Sequence, residues 1–308
     1  MRYFVLSAVV VLVFSISAFT QKAEPALEVL AAYPKVRDFT MTADGREAYV
    51  TLQSLNEEIS MIAVLKKVNG KWGEPQKAGF SGEFKDLEAA LAPDGLTLYF
   101  VSNRPLSGSG KPKDFDIWFV TRANLKARWS APKNLGAPVN SEKDEFYPSL
   151  AANKNMYFTR EPLGPKNRPD ILMSKWNGKN YEDPSDPGEA INSESFEYNS
   201  YIAPDESFLI FGGYQREDGL GSGDMYISYR DAEGNWSTAK NMGKDFNSNQ
   251  MDFCPFVDWK TKTLYFTSRR SLVEPQKFDS IEDFDAEVFM YENGMSRIYM
   301  IPLAPFLK

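Results

Sequence analysis

Carboxylates and arginines recur along this 308-residue chain at matched spacings. Asp86, Glu145, Glu197 and Asp252 each stand five residues after a Ser or Asn lead: Ser81, Asn140, Asn192 and Asn247. Two residues further on come Glu88, Tyr147, Asn199 and Cys254; Asp38 fills that place in a first copy that has Val36 instead of the acid. Arg104, Arg160, Arg216, Arg269 and Arg270 follow downstream. Positions i and i+2 of a strand point to one side, so each pair of columns faces one way. Such residues support two kinds of chemistry. Paired with arginines, they clip strands together. Left facing a cleft, carboxylates about 5–9.5 Å apart carry out acid/base work on glycosides without any histidine.

The composition removes competing chemistry. The chain has no His and one Cys. It can form no Ser-His-Asp triad, no His-ligated zinc and no intrachain disulfide. No zinc, copper or iron site is expected, and no cofactor; oxygen ligands are numerous enough to leave calcium open. Cys254 reads as a small packing residue. A net charge of −7 argues against a nucleic-acid partner. Residues 1–20 read as a signal peptide: Arg2, an apolar run from Val5 to Ile16, then small residues. The product is expected to be exported, periplasmic or secreted from a bacterium, with no later membrane span.

The elements that position these columns come from an internal repeat. Ala48-Tyr49-Val50, Leu98-Tyr99-Phe100, Met156-Tyr157-Phe158, Leu209-Ile210-Phe211 and Leu264-Tyr265-Phe266 recur every 50–58 residues. Each follows a turn: Asp44-Gly45, Asp94-Gly95, Asn153-Lys154, Asp205-Glu206 and the divergent Lys260-Thr261. A second hairpin, with Gly70, Gly178 or Gly234 ahead of Trp72, Tyr181 or Trp236, adds outer strands. The unit is a four-stranded antiparallel meander. Five such units, at residues 33–80, 81–139, 140–191, 192–246 and 247–308, predict an all-β, five-bladed β-propeller in one domain, residues 21–308. The fifth unit stops after its third strand at Arg297 to Leu303, so Leu27 to Ala31 is expected to supply its fourth and close the ring. The acidic insertion from Phe278 to Gly294 reads as a short helix that covers one mouth.

Ala92-Pro93-Asp94-Gly95-Leu96-Thr97-Leu98-Tyr99-Phe100 and Ala203-Pro204-Asp205 resemble the core of the WD40-like, or PD40, repeats of TolB-type β-propellers. Asp116-Ile117-Trp118 and Gly223-Asp224-Met225-Tyr226 look like that family's third strand. The resemblance covers residues 27–305 and implies the propeller fold. On it the chain is expected to be a non-catalytic binding or scaffold module. The ligand is polar: a glycan, a peptide or a protein partner, held at a channel mouth. The expected ligand-binding set is Asp38, Asp86, Glu88, Glu145, Tyr147, Glu197, Asn199, Asp252, Arg104, Arg160 and Arg269, with Tyr214 and Gln215 nearby. The alternative is a carboxylate-dependent glycoside hydrolase built on Asp38, Glu88, Glu145, Glu197 and Asp252.

Overall fold

The computed structural model describes residues 22–163 and 168–307; the expected signal peptide lies outside them. The chain enters through β1 (Glu24–Pro25). Blade one follows with β2 (Lys35–Met41), β3 (Glu47–Gln53), β4 (Ser60–Val68) and the short β5 (Lys71–Trp72) and β6 (Gln76–Lys77). Blade two is β7 (Asp86–Leu91), β8 (Thr97–Ser102), β9 (Asp116–Thr121) and β10 (Lys133–Asn134). Blade three is β11 (Asp144–Leu150), β12 (Met156–Leu163) and β13 (Arg168–Ser174), its outer edge reduced to the isolated bridges Met173–Ser185 and Trp176–Tyr181. Blade four is β14 (Phe196–Ile202), β15 (Phe208–Tyr214), β16 (Asp224–Tyr229) and β17 (Lys240–Asn241). Blade five holds β18 (Asp252–Asp258), β19 (Thr263–Ser268) and β20 (Arg297–Pro302), with α1 (Ile281–Val288) between the last two. All the strand pairs within blades are antiparallel, and the fold is the expected five-bladed propeller.

Turn chemistry sets the meander. In the first inner hairpin, Asp44 accepts the Arg46 amide at 3.1 Å while Gly45 takes φ 70°. Asp94 and Asp205 cap Leu96 and Ser207 in the same way. The fifth turn falls at the expected Lys260-Thr261, between β18 and β19, with Asp258 capping Lys260 and Lys262 as the left-handed residue. In blade one, Asn69-Gly70 both take positive φ and join β4 to β5, as a type I′ turn requires.

Packing closes the ring. Among the described residues, five apolar clusters are each shared by two neighbouring blades, and a sixth gathers Tyr147, Phe253 and Cys254. The one between blades one and five joins Phe39, Val50 and Leu65 to Ile298, with Phe256 and Tyr265 against it. β1 pairs with β20 through Glu24–Met300 and Pro25–Tyr299, so an N-terminal strand supplies the last blade's fourth strand. The residues differ from those expected. Leu27 to Ala31 forms a 3-10 turn around Glu28–Leu30, and Leu27 and Leu30, each 1% exposed, plug the closing core. A strand there would send one of the two leucines to each face; the 3-10 turn, with three residues per repeat, buries both on one side. No helix among the described residues is long and apolar enough to cross a membrane.

Candidate functional site

Every innermost strand carries a bulge at the same place. The register slips between Arg37 and Thr40, Leu87 and Ala90, Phe146 and Ser149, Tyr198 and Tyr201, and Phe253 and Phe256. The bulged residues are Asp38, Glu88, Tyr147, Asn199 and Cys254, with φ of 62°, 57°, 49°, 49° and 54°. None is glycine, so the left-handed backbone carries a cost. The neighbouring blade supports it: Thr267, Thr51 and Thr159 hydroxyls accept the amides of Asp38, Glu88 and Asn199 at 3.2, 3.0 and 3.1 Å. Val101 stands where that threonine would serve Tyr147, and the Tyr147 amide instead donates to Glu88 Oε2 at 2.7 Å.

These bulges draw five expected or neighbouring side chains into a buried cluster on the ring axis. Arg37 sits in its centre. Its Nε donates to Asp38 Oδ1 at 2.7 Å and its NH2 to Glu88 Oε1 at 2.6 Å. The Glu88 amide donates to Asp38 Oδ2, and Asn199 reaches Glu88 Oε1 at 3.4 Å. Cys254 Sγ donates to Asp38 Oδ1 at 2.8 Å, so the cysteine does more than pack. One guanidinium cannot neutralise two carboxylates. Burial, and then the charge of Asp38, push Glu88 up to about 8 against the pull of Arg37. Burial, with the nearby Cys254, Asp38 and Glu88, drives the Tyr147 hydroxyl well up.

The other acid column does something else. Arg104 holds Asp86 at 2.6 Å, Arg160 holds Glu145 at 2.8 Å, Arg216 holds Glu197 at 2.8 Å and Arg270 holds Asp252 at 3.0 Å. The same guanidiniums donate to the carbonyls of Phe80, Val139, Ile191 and Phe246, which lie on the linkers entering each blade. They stack on Phe100, Phe158, Phe211 and Phe266. Ser81, Ser141, Ser193 and Ser248 complete the acids' partners. Asn140, Asn192 and Asn247 staple each linker to the third strand before it, binding both N–H and C=O of Ile117, Ile171 and Met225. Burial raises Glu145 and Asp252, outweighing their arginines. This set ties strands to linkers and stands apart from the axis; of its members Arg104, Phe80 and Ser81 line a separate cavity of about 450 Å³ at the edge of blade two.

The mouth above the axial cluster is a cleft of about 960 Å³. Arg37, Glu88 and Asn199 form its floor. Phe115 and Phe146, with ring centroids 5.3 Å apart, and Phe196 and Tyr214, 5.6 Å apart, stand in its walls beside Tyr198. Glu57, Glu161, Lys85, Arg168 and Arg269 complete the charged lining. Of the expected residues, Glu88, Asn199 and Arg269 reach the cleft directly. Asp38, 1% exposed, lies behind Arg37. Tyr147 opens toward the opposite mouth, a more apolar cavity of about 360 Å³. Sequence reasoning missed Arg37, Glu57, Glu161 and Arg168, because none falls in a repeating column. The insertion with α1 contributes nothing to the cleft lining and leaves Ile281 and Phe289 exposed, so it does not cover this mouth. Among the described residues no group of three or more Cys, Asp or Glu is placed to hold a metal ion.

Comparison with known proteins gives the fold and corrects one expectation. No family model matches the chain, and no curated protein matches its sequence. Solved structures do match. A glycoside hydrolase aligns over 92% of this chain and 90% of its own, at 9% identity and TM-score 0.56. The endo-arabinase from Bacteroides thetaiotaomicron aligns over 89% and 95%, at 14% identity and TM-score 0.55. The catalytic domain of a Coprinopsis cinerea GH62 alpha-L-arabinofuranosidase aligns over 91% and 96%, at 10% identity and TM-score 0.51. The resemblance to WD40-like TolB-type repeats therefore does not stand. The Asp-Gly turn and the Leu-Tyr-Phe strand that carried it are what any short antiparallel blade selects, whereas the whole-ring geometry is shared with glycoside hydrolase propellers.

Proposed function

We propose that the chain acts on a glycan in the 960 Å³ cleft, with Glu88 and Asp38 as a glycoside hydrolase's carboxylate pair. The observation that carries this reading is the axial cluster itself. Two carboxylates from adjacent blades share one guanidinium at the base of an aromatic-walled cleft, and one of them is raised to about 8. A carboxyl group that keeps its proton at neutral pH suits the general acid, which must protonate the departing glycosidic oxygen. Asp38 is the partner carboxylate that takes the proton of the attacking water. The shared guanidinium, 2.7 Å from Asp38 and 2.6 Å from Glu88, keeps the two carboxyl groups side by side at the cleft base. The fold is also one on which glycoside hydrolases are built, which supports the enzymatic alternative over the binding module expected from sequence.

One observation favours binding without turnover: Arg37 covers Asp38 and must swing aside before water reaches it. A panel of aryl glycosides and oligosaccharides, arabinofuranosides included, separates the two. Hydrolysis that Glu88→Gln lowers by about 10²–10⁴-fold, with oligosaccharide binding kept, is the expected result. Oligosaccharide binding by the parent with no turnover on any substrate establishes the second reading instead.

A further inference from the structure

The whole chain carries a net charge of −7, yet its cleft does not share that sign. Four cations line it, Arg37, Lys85, Arg168 and Arg269, against three carboxylates, Glu57, Glu88 and Glu161. The cations come from four different blades or their leads, so they ring the opening. Their partners leave charge to spare. Arg37 is spent on the axial cluster. Arg168 meets Glu194, a side chain 92% exposed and therefore well screened. Arg269 meets Glu57 only at 3.7 Å, and Glu57 already holds Lys35 at 2.7 Å. Lys85 has no carboxylate within ion-pairing distance among the described residues. Of the three lining carboxylates, Glu88 and Glu161 are both shifted toward the protonated form by burial, which lowers the negative charge further. A positive cleft in a negative protein focuses its field on anions.

Two aromatic pairs flank those cations, and flat rings are the natural wall for a sugar's apolar face. We propose that the ligand is an acidic glycan, a chain of sugars bearing uronate carboxylates, held by Lys85, Arg168 and Arg269 while its rings lie on the aromatic walls. Carboxylate is the anion of choice because the arginine fork pairs with it in a plane. The inference rests on the glycan reading of the same cleft and narrows it to a substrate class.

Titration of the intact protein with matched neutral, uronate and sulfated oligosaccharides, and with an acidic peptide, tests it. The uronate chain is expected to bind at least about tenfold tighter than the neutral one at low salt, and to lose that advantage near 1 M NaCl, where charges are screened within about 3 Å. Lys85→Gln and Arg269→Gln should each remove most of the difference between uronate and neutral chains, while Arg269→Lys should restore part of it. Neutral sugar bound as tightly as uronate overturns the acidic class and leaves the glycan reading standing. Tighter binding of the sulfated chain overturns the choice of carboxylate, and equal binding of the acidic peptide overturns the sugar. No binding of any oligosaccharide removes both readings together.

Discussion

Glu88 shows most directly how one residue's surroundings become a measurable property. It is 3% exposed, accepts from Arg37, the Tyr147 amide and Asn199, and shares its cation with Asp38. Its carboxyl is raised from an ordinary 4.5 to about 8. The folded state therefore binds this proton more tightly than the unfolded chain does. The stability it contributes is fully present below about pH 4.5 and is lost as pH rises through about 8. The unfolding midpoint should fall between pH 5 and 9, and Glu88→Gln, which removes the titrating proton and keeps one oxygen for either Arg37 or the Tyr147 amide, should flatten that fall. Parallel profiles for parent and variant, followed by thermal melting, would mean that Arg37 holds Glu88 ionised. Spacing made Glu88 a candidate; its difference from Glu145, an acid of the same type in the next blade, came from the left-handed bulge on which Glu88 sits, which no sequence pattern marks.

The elements divide the labour between two columns two residues apart. The first column joins a strand start to the arginine at or just past the end of the second strand's pairing and to the linker carbonyl. The second rides on a left-handed bulge and points to the axis. Glu145→Gln and Glu197→Gln should each lower stability by ~1–3 kcal/mol, because a partly buried arginine loses its charged partner. Ligand binding in the cleft should not change. Denaturant titration beside ligand titration checks both; variants as stable as the parent but weakened in binding would return these acids to the mouth. The spacing of both columns was legible in sequence because strands alternate with period two. The bulge was not, because Asp, Glu, Tyr, Asn and Cys bear no common mark of positive φ.

At the scale of the whole molecule, the ring stands on its closure. The β1–β20 bridge is two residues long, so the apolar plug beneath it must carry most of the joint. Leu30→Ala is expected to cost ~2–5 kcal/mol as a buried leucine in a packed core. Deleting residues 22–32 should broaden the unfolding transition and promote aggregation through the freed edge of β20. A truncated protein that melts as sharply and as high as the parent would show that blades one and five hold together without the joint.

The sequence by itself determined the propeller. Five repeats of turn residues and apolar strands can bury their faces only against one another, and an N-terminal strand does pair with the last blade. It also determined what chemistry is absent, since a chain without His and with one Cys lacks the ligands and bases that much catalysis needs. It did not separate clip from site, because Asp86 and Glu88 are both carboxylates on one strand. It also misled on kinship, because short turn and strand motifs report local geometry. Only the tertiary structure decided which acids join an arginine to a linker and which gather on Arg37 at the axis. It also decided that Arg37, Lys85, Arg168 and Arg269, scattered over more than two hundred residues, converge on one mouth. Charge, burial and distance act through space, and closing the ring is what turns positions far apart along the chain into neighbours.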